Sequence, residues 1–143
     1  MTTIVEAQTE AEIRNCFPVL VQLREHLQAE TFVEQVRRLQ SVSGYRLFFV
    51  QHQEEVVAVA GVRVVENFAW RRHLYVDDWV TDQAHRSSGH GEELFRFLIG
   101  LAQEEGCQEF HLDSGVQRFD AHRFYLRHRL RISSHHFSLD LER

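Results

Sequence analysis

The hydrophobic positions of the chain change period several times, and each change marks an element. Residues 2–8, TTIVEAQ, read as a short strand. Thr9 followed by Glu12 is a capping box, and Ile13, Cys16, Phe17, Leu20 and Leu23 continue as a helix that Pro18 should kink or break. A second helix covers Ala29 to Gln40, with Phe32, Val36 and Leu39 on one face and Gly44 as its stop. The period then falls to two. YRLFFVQHQ and EVVAVAGVRVVENFA form a hairpin turning at Gln53 and Glu54, and RHLYVDDWVTD is a third strand ending near Asp82. From Gly89 to Glu105 the spacing is helical again, through Leu94, Phe97, Leu98 and Leu101, and Gly106 closes it. CQEFHLDSG predicts a strand, DAHRFYLRHRL a helix, and ISSHHFSLDL a final alternating strand. The order β-α-α-β-β-β-α-β-α-β implies an α/β domain, a mixed sheet with helices on both faces.

Length and composition narrow the class. At 143 residues, 43% hydrophobic and 26% charged, the expectation is one globular domain over residues 1–143. No apolar run approaches the roughly 20 residues that span a bilayer, and the N-terminus lacks a signal-peptide pattern, so a cytoplasmic protein without a membrane partner is expected. A net charge of −5 argues against nucleic acid as a partner. Cys16 and Cys107 read as small buried hydrophobes, and every basic side chain apart from the histidines is arginine. His135 and His136 are neighbours on an alternating strand and point to opposite faces, so no metal is expected there.

The chemistry concentrates in RSSGHGEEL, between a strand and a helix. The first amides of a helix lack intrahelical partners and its dipole is positive there, which favours an anion. Ser87, Ser88, Gly89 and Gly91 leave room for a phosphate, and Arg86 adds a charged donor. A P-loop needs a lysine, and the chain has none; the dinucleotide fingerprint needs a third glycine where Leu94 stands. What remains is R-x-x-G-x-G, carried by Arg86, Gly89 and Gly91. It resembles the acetyl-CoA motif [QR]-x-x-G-x-[GA] of the GCN5-related N-acetyltransferase (GNAT) superfamily. A second stretch, DAHRFYLRHRL, is similar to that family's late helix A-x-x-[FL]-Y-x-x-x-G-F at Ala121, Phe124 and Tyr125. It departs at Arg129 and Leu130, and at Arg118, where asparagine is common.

The resemblance implies a GNAT-like, mostly antiparallel twisted sheet of six to seven strands and direct attack of an amine on the thioester of acetyl-CoA, the co-substrate. It implies main-chain contacts to the cofactor from Val80 and Thr81. It also implies a pyrophosphate cradle of Arg86, Ser87, Ser88, Gly89, His90, Gly91 and Glu92, with Ser114 lining the opening where the sheet splays. Tyr125 is the expected general acid for the departing sulfur. An alkylammonium is neutral about once in 10³ at pH 7, worth about 4 kcal/mol of barrier, so a proton acceptor is needed. The stretch LYVDDWVTDQAHRSSGHG is similar to the same region of the spermidine/spermine and thialysine acetyltransferases, and Asp77 is the first choice. Asp78, His73 or a water remain open, and strict alternation sends Asp77 and Asp78 to opposite faces. Phe32, Glu66, Phe68 and Trp70 are candidates for a lining that would suit a cationic amine. The expected partner is the amine of a small molecule or peptide, with a homodimer through ISSHHFSLDL as a further expectation. The competing function is a non-catalytic acyl-CoA sensor.

Overall fold

The period-two stretches fold into one antiparallel meander. In this computed structural model, which describes residues 2–142, β1 (Thr2–Glu6), β2 (Arg46–His52), β3 (Glu55–Asn67) and β4 (Arg71–Thr81) pair antiparallel in succession. The β2–β3 turn carries positive φ at both Gln53 (50°) and Glu54 (66°). That is the left-handed pair a two-residue hairpin needs to match the twist of its strands. β5 (Glu109–Leu112) completes a five-stranded sheet in the order β1-β2-β3-β4-β5.

Helices form where the caps predict them. Thr9 Oγ1 accepts from the Glu12 amide at 3.1 Å while Glu12 Oε1 accepts from the Thr9 amide at 3.0 Å, opening α1 (Glu10–Leu20) with the full capping box. Pro18 has no N–H to give the preceding turn, and α1 ends two residues later. α2 (Ala29–Ser43) stops at Gly44, which takes φ 68°. α3 (His90–Glu104) closes at Gly106 (φ 72°), with the Cys107 amide donating to Ala102 O and the Gly106 amide to Gln103 O, the paired bonds of a Schellman motif.

The chain divides into two compact units, Met1–His111 and Leu112–Arg143. In the first, Ile13, Cys16, Val19, Leu20, Phe32 and Val36 bury one face of the sheet against Tyr45, Leu47, Phe49, Val59 and Val80. Residues of opposite parity face α3, where Phe97 meets Phe48 at 5.3 Å between ring centroids and Phe95 lies parallel to Trp79 at 6.0 Å. Both faces are apolar, as expected of a sheet covered twice. The second unit carries α4 (Phe119–Arg127), followed by residues 130–142, which form no helix or strand.

Among the described residues the sheet has five strands, where six to seven were expected. ISSHHFSLDL forms no strand, and Ile132, Phe137, Leu139 and Leu141 are exposed. Alternation gives a segment two faces, but a strand exists only when another backbone completes its ladder.

Candidate active site

The glycine motif lies where β4 hands over to α3. The handover is pinned before the glycines begin. Asp82 Oδ1 accepts from the Gln22 side chain at 2.7 Å, Gln22 Oε1 accepts from the Gln83 amide at 2.9 Å, and His85 Nδ1 meets Asp82 Oδ2 at 2.6 Å. The Gln22 and His85 bonds hold the Asp82 carboxyl below its usual pKa. After the 3-10 turn Gln83–His85, Ser87 and Gly89 take φ of 69° and 82°, and Gly89 caps α3 without any side-chain bond. The first amides of α3 therefore have no capping side chain. A Cβ on Gly91 would stand 3.6 Å from Thr81 Oγ1, an ordinary contact distance that places the helix start beside the end of β4.

The side chains of the predicted cradle divide in two. Arg86, Ser87 and Ser88 are exposed, free to turn toward an anion. His90 is buried, its Nδ1 3.8 Å from Glu93 and its ring 5.8 Å from that of His52, so its side chain is engaged inside and its amide is the group a phosphate would use. Glu92 binds Arg96 at 3.1 Å down the helix, which likewise leaves its amide as the group a phosphate would use. Val80 is buried opposite Val59, and Thr81 pairs with Ala58. β5, four residues long, follows Gln108, whose amide donates to Arg72 O near the start of β4. Among the described residues no strand covers β4 near Val80 and Thr81, which leaves a main-chain edge for an extended ligand arm.

Some four residues before Thr81, or about 13 Å along the strand, β4 breaks register. Gly61 pairs with Asp78 but Val62 pairs with Val76, so Asp77 is the extra residue of a β-bulge. This corrects the expectation that Asp77 and Asp78 point apart: the bulge shifts the parity, and both lean to the face covered by α1 and α2. Asp78 accepts from the Tyr45 hydroxyl (2.8 Å) and from Arg24 Nε (2.8 Å), and Arg24 Nη2 donates to Asp77 O (2.8 Å). Asp77 is gripped by both fork nitrogens of Arg63, Nε at 2.7 Å and Nη2 at 2.8 Å, and Arg63 lies over the Tyr75 ring at 5.2 Å. Burial and the Asp78 carboxylate push the Tyr45 phenol well above its usual pKa.

Sequence reasoning missed Arg24, Tyr45 and Arg63. The signal was available in Gly61, an isolated glycine inside a β-branched strand, which marks a bulge or a close approach. Here it marks both, because a Cβ at Gly61 would fall 1.8 Å from the Tyr45 oxygen.

The other candidates separate. His73 is buried with Nδ1 3.0 Å from Arg71 O, its ring edge-on to Trp70 and His111, in a cluster of its own. Trp70 stacks on His111 at 3.9 Å, and Phe68 is fully exposed in the β3–β4 turn. Phe32 is a core residue packed edge-on to Phe17, which removes it from any pocket lining. Glu66 is exposed near the same turn.

In the second unit, Tyr125 is half-buried on α4. Burial pushes its phenol up, while Arg118 and the nearby Ser114 hydroxyl pull the other way. Ser114 Oγ is buried without a partner at hydrogen-bond geometry. The end of α4 is a second Schellman motif: the Leu130 amide donates to Tyr125 O at 3.0 Å and the Arg129 amide to Leu126 O at 3.1 Å, with Arg129 at φ 72°. Arg129 thus holds the left-handed place for which glycine is the usual residue. Cys16 is buried, its thiol pushed up to about 12, and Cys107 is half-buried. No cluster of metal-ligating side chains forms among the described residues, and no described helix is long and apolar enough to cross a membrane.

Known proteins resemble this chain in sequence or in fold. The uncharacterized N-acetyltransferase YhdJ of Bacillus subtilis is 29% identical over 125 residues, covering 87% of this chain and 88% of its own. A solved transcriptional regulator from Bacillus halodurans superposes with a TM-score of 0.86 at 22% identity, over 99% of this chain and 100% of that one. The aminoglycoside N-acetyltransferase AAC(6')-Iy in complex with CoA gives 0.85 at 8% identity, over 98% and 94%. The acetyltransferase (GNAT) family profile matches residues 8–129, from the α1 cap through the Schellman closure of the tyrosine helix, and the chain belongs to that family of acetyltransferases.

Proposed function

We propose that the protein transfers the acetyl group of acetyl-CoA to the primary amine of a small molecule or peptide, within a single functional domain of 143 residues. The observation that carries this is the alignment of two features along one strand. An uncapped helix start with left-handed Gly89 lies at the end of β4, and a bulge presenting carboxylates lies about 13 Å back along it. The residues fit acetyl-CoA. The amides from Ser87 to Glu92, with Arg86, suit a pyrophosphate, and the main-chain edge at Val80 and Thr81, which no strand covers among the described residues, suits an extended arm. Acetyl-CoA supplies an activated acyl group that needs no metal.

Asp77 is the residue we assign to receive the ammonium proton, directly or through a water. It is the more open of the two carboxylates, 26% exposed in its side chain against 16% for Asp78, which Tyr45 and Arg24 already occupy. The freed nitrogen bonds to the acetyl carbon as the carbon–sulfur bond breaks; Tyr125 gives the sulfur its proton, and the second proton that the nitrogen sheds in becoming an amide returns the phenol to its acid form. A phenol whose pKa is raised by burial stays protonated at neutral pH and has a proton to give. The exposed tail also supports the homodimer expected from its alternation.

An acceptor screen of polyamines, aminoglycosides, amino acids and peptide N-termini, read as CoA release, tests the reading. Tyr125→Phe should lower kcat by roughly 10²-fold with acetyl-CoA affinity near normal. An unchanged kcat would remove Tyr125 from the reaction.

A further inference from the structure

The charges at the β4 bulge cancel. Two carboxylates, Asp77 and Asp78, face two guanidiniums, Arg63 and Arg24, in one cluster beside Tyr45 and Tyr75. A simple cationic amine is best met by unpaired acids, and neither bulge carboxylate is one: both oxygens of Asp77 are held by Arg63, and Asp78 is held by Arg24 and Tyr45. The two ion pairs are not alike. Arg24 ties Asp78 and the bulge carbonyl of Asp77 together, and Asp78 also takes the Tyr45 hydroxyl, so that pair shapes the strand. Among the described residues no third side chain is hydrogen-bonded to the Arg63–Asp77 pair. It is 31% and 26% exposed, and the third guanidinium nitrogen of Arg63, Nη1, has no protein acceptor among the described residues.

Opening such a pair with one ligand charge strands the other. An ammonium on Asp77 alone leaves Arg63 half-buried without its counter-ion, and an anion on Arg63 alone does the same to Asp77. A ligand carrying both charges exchanges one ion pair for two and strands neither. Accepting an anion also swings the fork of Arg63 off Asp77, which frees that carboxylate to take the ammonium proton.

We propose that the acceptor is zwitterionic: a primary amine with an anionic group, carboxylate or phosphate, a few bonds away, the anion held by Arg63 and the ammonium by Asp77. This rests on the transferase reading above and names its substrate class. Discrimination follows from the unpaired charge left by the wrong ligand rather than from extra contacts to the right one.

The test uses matched acceptors with the intact protein. The protein amino acids are compared with their C-terminal amides and decarboxylated amines, and phosphoethanolamine with ethanolamine, all by CoA release. We expect the anion-bearing member of at least one pair to exceed its neutral counterpart at least ten-fold in kcat/KM, through tighter binding and the freed base together. Arg63→Ala should erase that ratio while acetyl-CoA binding and far-UV circular dichroism stay as in the wild type; Arg63→Lys should keep part of it. The carboxylate and phosphate pairs tell the two anion classes apart. Wild-type transfer that ignores the anion in every pair, or a ratio that survives Arg63→Ala, overturns the inference and leaves the transferase standing. Acetyl-CoA binding with transfer to no amine overturns both.

Discussion

Gly61 does its work by having no side chain. Its hydrogen faces the Tyr45 hydroxyl at a distance where a methyl would overlap the oxygen, and Tyr45 in turn is bonded to Asp78 in the core beneath α1 and α2. Gly61→Ala should therefore cost about 2–3 kcal/mol, measured by urea unfolding, because either the strand or the phenol must move. Tyr45 also predicts a pH dependence. Its pKa is raised in the folded state, so its contribution is complete below the unfolded value near 10 and is lost as the pH climbs above it. Unfolding followed from pH 8 to 11 should show stability falling above about pH 10, and Tyr45→Phe should flatten that fall. Of these residues the sequence showed the glycine and the two aspartates but not their connection. Residues 24, 45, 63, 77 and 78 come from four separate stretches, and no local rule relates them.

Elements were more legible, because what starts and stops them acts over three or four residues. Thr9 and Glu12 cap α1, Gly44 ends α2 and Gly106 ends α3, each as its residue type predicts. The same reasoning explains the departure in the late helix. Arg129 stands where the family pattern has glycine, and it adopts φ 72° all the same, because the two bonds from Leu130 and Arg129 fix the turn. A side chain in that conformation is strained by about 1 kcal/mol. Arg129→Gly should raise stability by up to that amount in thermal or urea unfolding, and it should leave α4 and Tyr125 in place. A loss of stability would mean that the Arg129 side chain contributes more than its backbone costs. The bulge was less legible than the caps: Asp77 becomes the extra residue only in register with β3, and register is a property of two strands.

At the scale of the whole chain, the tail is the part whose partner is missing from its own sheet. Ile132, Phe137, Leu139 and Leu141 are 75%, 90%, 83% and 85% exposed along ten residues of alternating pattern, an arrangement that invites pairing with another backbone. Sedimentation should find the full chain as a dimer, and a chain ending at Leu130 as a monomer; a full-length monomer would exclude strand-mediated pairing. What the sequence determined by itself is what neighbours in the chain decide: the hairpin and its turn, the helix caps, the loop of Arg86, Gly89 and Gly91, and with them the family. Only the tertiary structure decided that Asp77 and Asp78 share a face, that Arg63 holds Asp77, that Phe32 is core, and that ISSHHFSLDL remains unpaired. Each of these depends on which distant backbone arrives alongside, and a pattern of period two or 3.6 specifies a face without naming the residue that will meet it.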